Sequence, residues 1–293
     1  MSKKVLILGC SGQIGSRLTL LLLKYGFIVY GVSGSNLCKI KDRNHLCKKI
    51  NLLDPRVSLN LDELKPDVLV HTAWITTPGI FWESPINDEW VKASKKIIQE
   101  FEQSGGKYLV VTSTCAEYSW ETTKPLSEIS ETNPKLIYGK SKLELLNWMK
   151  SNEIPFLWTR TFFQFGLNEP IGRLIPSMVD SMLAGKVFEV QNPNNIRDFV
   201  YISDVVEVLS NLICKEQVGI INIGTGNGFD IRSIAQIRVD QIGRKNLVRY
   251  CASTQPASVV VSNPSKLLSV VGNYSWTPID KAILETVKAR IKQ

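Results

Sequence analysis

The chain has 293 residues, of which 44% are hydrophobic and 21% are charged. This composition excludes disordered and fibrous proteins and suits one large α/β unit, or a large domain that carries a smaller one. The net charge of +8 is scattered, with its densest groups at 39–43 and 48–49. We therefore expect a mildly basic surface and no nucleic-acid partner.

The sequence carries no recognisable membrane or secretory signal. The apolar run that follows Lys3 and Lys4 stops at Gly9, which is too short for the core of a signal peptide. No stretch approaches the length needed to cross a bilayer. We expect a cytoplasmic protein without membrane contact.

Six cysteines and two histidines are present. No two cysteines form a Cys-x-x-Cys pair, and two histidines cannot complete a zinc site of the usual spacing. We expect reduced thiols and no metal site. The cysteines are Cys10, Cys38, Cys47, Cys115, Cys214 and Cys251.

Short β-branched runs alternate with longer amphipathic segments through the first two-thirds of the chain. The predicted strands lie at 5–8, 27–32, 48–53 (the weakest), 68–72, 108–113 and 156–161. The predicted helices between them lie at 16–25, 88–103 and 138–152. Apolar strands that alternate with helices predict a parallel sheet covered on both faces, which is a doubly wound Rossmann-type α/β fold.

After Gly166 the alternation loosens. A helix is predicted at 171–184, a helix-length segment at 203–214 and a strand at 219–223 that returns to the sheet. The proline-containing remainder indicates a small mixed lobe. We expect a dinucleotide-binding domain formed by 1–166 with about 197–224, and a substrate lobe formed by about 167–196 and 225–293.

A glycine-rich turn separates the first strand from the first helix. Gly9, Gly12 and Gly15 are spaced Gly-x-x-Gly-x-x-Gly, which allows the backbone to approach a pyrophosphate at the positive end of the helix. Ser11, Gln13 and Ile14 complete this candidate cofactor site. The alternative is a helix-capping turn that binds no ligand.

The end of the second strand bears on the choice of cofactor. An NAD-selective site usually offers a carboxylate there to the ribose 2′-hydroxyl, but residues 30–36 contain no acid. Ser33 and Ser35 could receive a 2′-phosphate, with Lys39 or Lys41 neutralising its charge. This pattern favours NADP(H), although NAD(H) could also bind.

Tyr138 and Lys142 are four residues apart in a predicted helix, so their side chains share one face. A nearby ammonium favours the phenolate, and we expect Lys142 to lower the pKa of Tyr138 from about 10 towards the range of general acid–base catalysis. Such a pair also occurs by chance in many helices. Thr112 and Thr114 end the fifth strand, where parallel sheets bind ligands. The alternative for these residues is a turn held by local hydroxyl hydrogen bonds.

In this order, the motifs resemble the extended short-chain dehydrogenase/reductases, in the branch of sugar-nucleotide epimerases, dehydratases and reductases. The resemblance covers almost the whole chain. It rests on the glycine turn, 71–74, the Thr114 segment, Tyr138 with Lys142, 197–204 and 276–278.

The resemblance implies a role for each of these positions. Thr114 would hold the substrate oxygen, Tyr138 would transfer the proton, and Lys142 would bind the nicotinamide ribose. Arg197 would pair with the diphosphate of a nucleotide sugar, whose oxygens suit a planar guanidinium; the alternative is an ion pair with Asp198. The cofactor would also contact Asn51, Leu52, Ala73, Trp74 and Thr112. A homodimer paired through the helices at 88–103 and 138–152 is expected.

Departures from the family pattern narrow the reaction. Cys115 and Ala116 occupy the places where similar dehydratases carry Asp-Glu, and Glu117 is one position late. The Cys and His of the similar epimerase-reductases are also missing, which makes Cys115 a packed or substrate-lining thiol. The favoured function is reduction of a nucleotide-linked 4-keto-6-deoxy sugar, with Tyr138 protonating the oxygen at C4. The alternatives are a C4 epimerase with retained NAD and a non-catalytic dinucleotide sensor on the same fold.

Two substrate contacts depart from the pattern as well. Phe163 occupies the place of a common Asn, so Gln164 is the candidate substitute. The phosphate-binding Arg that commonly precedes the last conserved segment is missing from 252–256, which leaves Arg173 or Arg249 as candidates.

Overall fold

The structure, a computed structural model, describes residues 2–242, 245–253 and 256–291. Its first part contains β1 (Lys4–Leu8), α1 (Gln13–Lys24), β2 (Ile28–Ser33), β3 (His45–Lys49), α2 (Leu61–Leu64), β4 (Val68–His71), α3 (Ile86–Gln103), β5 (Tyr108–Thr114), α4 (Ile137–Met149) and β6 (Phe156–Thr161). Its second part contains β7 (Phe163–Phe165), α5 (Leu174–Leu183), β8 (Phe188–Val190), β9 (Ile196–Tyr201), α6 (Ile202–Cys214), β10 (Gly219–Ile223), β11 (Gly228–Asp230), α7 (Ile231–Ile242), β12 (Val248–Tyr250), β13 (Val259–Val260), α8 (Ser265–Val271) and α9 (Ile279–Ile291).

Within these described ranges the main layer is a seven-stranded sheet in the order β10-β6-β5-β4-β1-β2-β3. Each of its strand pairs is parallel, so the doubly wound fold predicted from the sequence is confirmed. The strand order reverses between β1 and β4. In such sheets, ligands bind at this switch point, beyond the carboxyl ends of the strands.

Helices cover both faces of the main sheet because successive strand residues point to opposite sides. In β1, Val5 and Ile7 belong to one buried cluster and Leu6 and Leu8 to another. The first cluster includes side chains of α1 and α6, and the second includes side chains of α3 and α4. No helix in the described part of the chain has both the length and the apolar character required to span a membrane.

The third strand lies at His45–Lys49 and not at the predicted 48–53. β3 is an edge strand that pairs with β2 alone. Most of its side chains are therefore exposed or half-buried, and it lacks the apolar run by which a central strand is recognised. The first helix begins at Gln13, three residues before the predicted start, because it continues directly from the glycine turn.

A smaller sheet contains β11, β9 and β13, with β7 beside β9, and β8 pairs with β12. β7 and β9 fall within the segments assigned from the sequence to the dinucleotide-binding domain, yet they pair in this smaller sheet. α6 and β10 then lead the chain back to the main sheet. The two sheets are thus built from interleaved segments, and the division into two domains stays a prediction.

We predict that Gly15→Ala destabilises the protein although alanine is the better helix former. A Cβ at this position would lie 2.2 Å from the carbonyl oxygen of Gly9, so α1 would have to move away from the glycine turn. The expected loss is about 1–3 kcal/mol in the free energy of unfolding, measured by urea denaturation. Gly34→Ala is the matched control, since its Cβ would meet only the oxygen of Ile50 at 3.9 Å. Equal stability of the two variants would contradict the packing argument.

Candidate active site

The glycine turn packs against the ends of two neighbouring strands. The backbone amides of Gly9 and Cys10 donate to the oxygen of Val32 at 2.8 and 3.1 Å. A Cβ on Gly9 would lie 2.8 Å from the nitrogen of Ala73, and its φ of +84° favours glycine. The N-cap of α1 is Gly12, which has no side chain to cap the first-turn amides. The residues present therefore fit a pyrophosphate at the switch point.

Ser33 lies at the end of β2 and is buried. Its hydroxyl hydrogen bonds to that of Ser11 at 2.5 Å and accepts from the amide of Ser35 at 3.4 Å. The two serines expected near the cofactor ribose are thus adjacent to the glycine turn. Lys39 and Lys41 line a surface cleft against α1 together with Leu20 and Leu23.

The two residues expected against adenine differ in exposure. Leu52 is buried in the same core cluster as Val32 and Leu8. Asn51 is exposed, and its side-chain oxygen accepts from the amide of Leu53 at 3.2 Å. Only Asn51 therefore offers its side chain to solvent.

Thr114 and Tyr138 meet beyond the end of β5. The Thr114 hydroxyl lies close enough to the Tyr138 phenol to lower its pKa, and it accepts from the amide of Ala116 at 3.1 Å. This meeting depends on Gly139, where a Cβ would lie 2.4 Å from the oxygen of Ala116. The first turn of α4 is fixed further by the amide of Tyr138, which donates to the oxygen of Trp82 at 3.0 Å.

Lys142 is buried one turn further along α4. Its ammonium donates to the oxygen of Thr112 at 3.1 Å and lies 3.7 Å from the ring centroid of Trp74. The Trp74 ring is held by a hydrogen bond from its Nε1 to Asn87 and by stacking on Trp90. The structure therefore brings together Lys142, Thr112 and Trp74, three of the residues predicted to contact the cofactor.

The expected effect of Lys142 on Tyr138 is corrected by the structure. Burial raises the pKa of Tyr138 to about 12, and the hydrogen bond from Thr114 and the charge of Arg173 offset this rise only in part. Burial also lowers the pKa of Lys142 to about 7, although Glu117 opposes that shift. Tyr138 is consequently a neutral phenol at neutral pH, which is the form that donates a proton.

Glu117, the carboxylate nearest in sequence to Thr114, has a structural role. It is fully buried, and its Oε2 accepts from Nε of Arg160 at 2.7 Å. Its Oε1 accepts from Nε1 of Trp158 at 2.8 Å and from the hydroxyl of Ser113. Burial raises the pKa of Cys115 to about 12, so this thiol is neutral.

A run of aromatic rings extends from Tyr138, and sequence reasoning missed it. Phe81 in this run is buried and the other rings are half-buried. Phe81 and Trp82 meet the Tyr138 ring edge-on, with centroids at 4.9 and 5.7 Å. Trp82 contacts Trp120 at 6.4 Å, and Trp120 contacts Phe163 at 6.0 Å. These rings come from loops and a short strand, so no periodic pattern in the sequence predicts them. They are called the aromatic wall below: Phe81, Trp82, Trp120 and Phe163.

Arg197 lies at the far end of the aromatic wall. Its guanidinium carbon is 5.4 Å from the ring centroid of Trp120 and 5.3 Å from that of Phe163. It donates to the backbone oxygen and the hydroxyl of Ser258, both at 2.8 Å. The alternative ion pair with Asp198 is not formed, because that carboxylate accepts from the 225–226 turn and from Ser262.

The other candidate substrate residues lie in different surroundings. Arg173 is 4.8 Å from the ring centroid of Phe81 and close enough to Tyr138 to affect its pKa. Arg249 instead pairs with Glu189 at 3.0 Å on the surface. Of the segment 252–256, residues 254 and 255 lie outside the described residues.

Gln164 is not part of the aromatic wall. It follows Phe163 in β7, and adjacent strand residues point to opposite faces. Because Phe163 is part of the aromatic wall, the side chain of Gln164 points away from the wall. The buried Oε1 of Gln164 has no hydrogen-bond partner.

Comparison with known proteins gives consistent matches along the chain. A model of the NAD dependent epimerase/dehydratase family matches residues 5–224. A GDP-6-deoxy-D-talose 4-dehydrogenase from Aggregatibacter actinomycetemcomitans is 29% identical, over 98% of this chain and 98% of its own. UDP-arabinose 4-epimerase 1 from Arabidopsis thaliana is 23% identical, over 93% and 75% respectively. A solved dTDP-glucose 4,6-dehydratase from Bacillus anthracis, in complex with NAD, has a TM-score of 0.87 at 20% identity, over 99% and 97%, and shares the fold.

We predict that Lys142→Met removes a pH-dependent part of the stability. The pKa of Lys142 is about 7 in the folded protein and 10.5 in its ordinary state. Between these values the unfolded chain binds a proton that the folded chain does not, so the contribution of Lys142 to stability rises with pH. Below about pH 7 both states are protonated and this contribution is constant.

Urea denaturation of both proteins from pH 6 to 9 measures this contribution as a difference, which cancels the titration of other groups. The wild-type stability should rise relative to that of Lys142→Met above about pH 7, by at most about 1.4 kcal/mol per pH unit. If the difference in stability is constant over this range, the pKa of Lys142 is not lowered in the folded protein.

Proposed function

Because the chain belongs to the NAD dependent epimerase/dehydratase family, we propose that it reduces the C4 ketone of a nucleotide-linked 4-keto-6-deoxy sugar. The resemblance predicted from the sequence is confirmed at the level of this family. One observation carries the proposal of a reductase. Tyr138 is a neutral phenol close to the Thr114 hydroxyl, while Glu117 is held by Arg160 and Trp158 and so is not available for elimination chemistry.

The named relatives support chemistry at C4. One is a dehydrogenase that, by its name, acts at position 4 of a GDP-linked 6-deoxy sugar. The reverse of such a dehydrogenation is the reduction of a C4 ketone. Another relative is named as a 4-epimerase, which makes C4 epimerisation with a retained NAD the second candidate function.

A bound nicotinamide dinucleotide would supply the hydride. Thr114 would hold the ketone oxygen next to the Tyr138 hydroxyl, whose pKa the threonine already lowers. Tyr138 would then donate its proton to that oxygen as negative charge develops there. Lys142 would bind the nicotinamide ribose, and the positive charge of Arg173, which already lowers the pKa of Tyr138, would favour the phenolate that remains.

The nucleotide sugar would lie along the aromatic wall. Flat rings offer apolar area to a sugar face or a base, and the wall leads from the proton donor to a cation. Arg197 would bind the diphosphate at the far end, exchanging its hydrogen bonds with Ser258 for phosphate oxygens. Arg173 provides a second cation beside Tyr138.

The cofactor preference follows from the end of β2. Residues 30–36 offer no carboxylate to a ribose 2′-hydroxyl, and Ser33 and Ser35 lie beside the glycine turn. These features favour NADP(H) over NAD(H), and a dissociable cofactor suits a reductase better than an epimerase. The predicted homodimer and cytoplasmic location belong to the same proposal.

We predict that Tyr138→Phe lowers kcat by roughly 10²–10⁴-fold because it removes the proton donor. NADPH binding, measured by fluorescence titration, should change little. Tyr25→Phe is the matched control, since Tyr25 is 49% exposed at the end of α1. A Tyr138→Phe enzyme with wild-type turnover of an identified substrate would refute the assigned role.

The substrate class is tested with a panel of CDP-, GDP-, UDP- and dTDP-linked 4-keto-6-deoxyhexoses. Oxidation of NADPH or NADH is followed by absorbance. We expect one nucleotide class to support turnover, with a higher kcat/KM for NADPH than for NADH. The epimerase reading would gain if purified protein carried NAD and interconverted two sugar nucleotides without added cofactor.

A further inference from the structure

Three cysteines that are far apart in the sequence meet beside the glycine turn. Cys10 follows β1, Cys38 lies in the 34–44 connection, and Cys47 lies in β3. Their sulfur atoms all lie within 4.8 Å of one another, and those of Cys10 and Cys47 are 3.4 Å apart. The short spacings between cysteines and histidines in the sequence predicted no metal site. The fold creates a cluster that spacing alone does not reveal.

His45 adds a nitrogen to this cluster. His45 and Cys47 are two residues apart in β3 and so share a face of the strand. The Nε2 of His45 is buried and has no hydrogen-bond partner, whereas Nδ1 lies 3.3 Å from the oxygen of Ile40. A histidine that donates from one ring nitrogen to a backbone carbonyl has its other nitrogen free as a metal ligand.

Gly31 makes the cluster possible. It lies in β2, between Cys47 on one side and β1 on the other. A Cβ at this position would be 2.7 Å from the sulfur of Cys10 and 3.4 Å from Nε2 of His45. The missing side chain therefore leaves the space in which both groups reach across β2.

We propose that Cys10, Cys38, Cys47 and His45 form a binding site for Zn²⁺. Three sulfurs and one imidazole nitrogen are a usual tetrahedral donor set for this ion. With zinc–sulfur bonds of about 2.3 Å, the sulfurs of such a site lie about 3.8 Å apart, which agrees with the separations above. The sulfurs lie within 4.8 Å of one another and the His45 nitrogens are not among these atoms, so the imidazole would turn towards the sulfurs when the ion binds.

The surroundings suit a bound ion of this kind. The amide of Cys38 donates to the sulfur of Cys47 at 3.3 Å, and such a bond stabilises a thiolate. Three thiolates and one divalent ion leave a single negative charge. Lys39 and Lys41 lie in the same connection as Cys38.

A metal ion here would fasten the 34–44 connection to the glycine turn. Cys38 already holds this connection through its thiol, which donates to the oxygen of Cys10 at 2.8 Å. A thiol must lose its proton to bind the ion, so metal binding would release protons and strengthen with pH. This role does not depend on which sugar nucleotide the protein uses.

Cobalt binding tests the proposal on the reduced, full-length protein under anaerobic conditions. We expect one Co²⁺ per chain, with thiolate-to-cobalt charge-transfer absorption and the visible bands of tetrahedral coordination. Added Zn²⁺ should displace the cobalt. Competition with a chromophoric chelator then gives the Zn²⁺ affinity of each variant.

Cys38→Ser and His45→Gln should each weaken Zn²⁺ binding by about tenfold or more, while Cys214→Ser, at an exposed cysteine outside the cluster, should bind as the wild type does. Cys38 lies in a connection and not in a strand, so its replacement tests the site without disrupting the packing of the main sheet. Circular dichroism verifies folding. Binding of less than one ion per chain, a cobalt spectrum without thiolate absorption, or unchanged affinity in Cys38→Ser would overturn the proposal.

Discussion

The close contact between α4 and the turn after β5 is the constraint on which the rest of the site depends. A side chain at Gly139 would collide with the oxygen of Ala116, at 2.4 Å, and with Pro134, at 2.8 Å. With glycine there, the first turn of α4 approaches β5, so Tyr138 reaches Thr114 and Lys142 reaches the oxygen of Thr112. The proton donor and the oxygen-binding hydroxyl are thus positioned by backbone packing.

The charge states of the buried groups Glu117, Tyr138 and Lys142 then determine which reaction the site can catalyse. The carboxylate of Glu117 is satisfied by Arg160, Trp158 and Ser113, and breaking such a buried pair is costly. It therefore stays a structural group. Burial also keeps Tyr138 protonated and leaves Lys142 near its titration point at neutral pH. The protonated phenol of Tyr138 can donate a proton, which suits the reduction of a ketone.

Features set by local pattern could be predicted from the sequence, whereas features set by tertiary contact could not. The glycine turn, the parallel sheet and the alignment of Tyr138 with Lys142 follow from spacing and hydrophobic period. The position of the edge strand β3 was predicted wrongly because this strand lacks an apolar run. The aromatic wall and the cluster at Cys10 join residues from separate loops and strands. Burial raises the pKa of Tyr138, whereas Lys142 was predicted to lower it. The burial of an individual side chain depends on tertiary packing and cannot be predicted from local sequence.

Isotope transfer tests the central claim most directly. The enzyme is given NADPH that carries deuterium at the transferable position, together with the keto sugar nucleotide that it turns over. The account predicts one deuterium at C4 of the sugar for each NADP⁺ formed, as measured by NMR and mass spectrometry. Absence of deuterium at C4 and of NADP⁺ with every keto sugar, together with inversion at C4 when the protein receives a 4-hydroxy sugar nucleotide and no added cofactor, would contradict it. The cofactor would then be retained and the reaction an epimerisation.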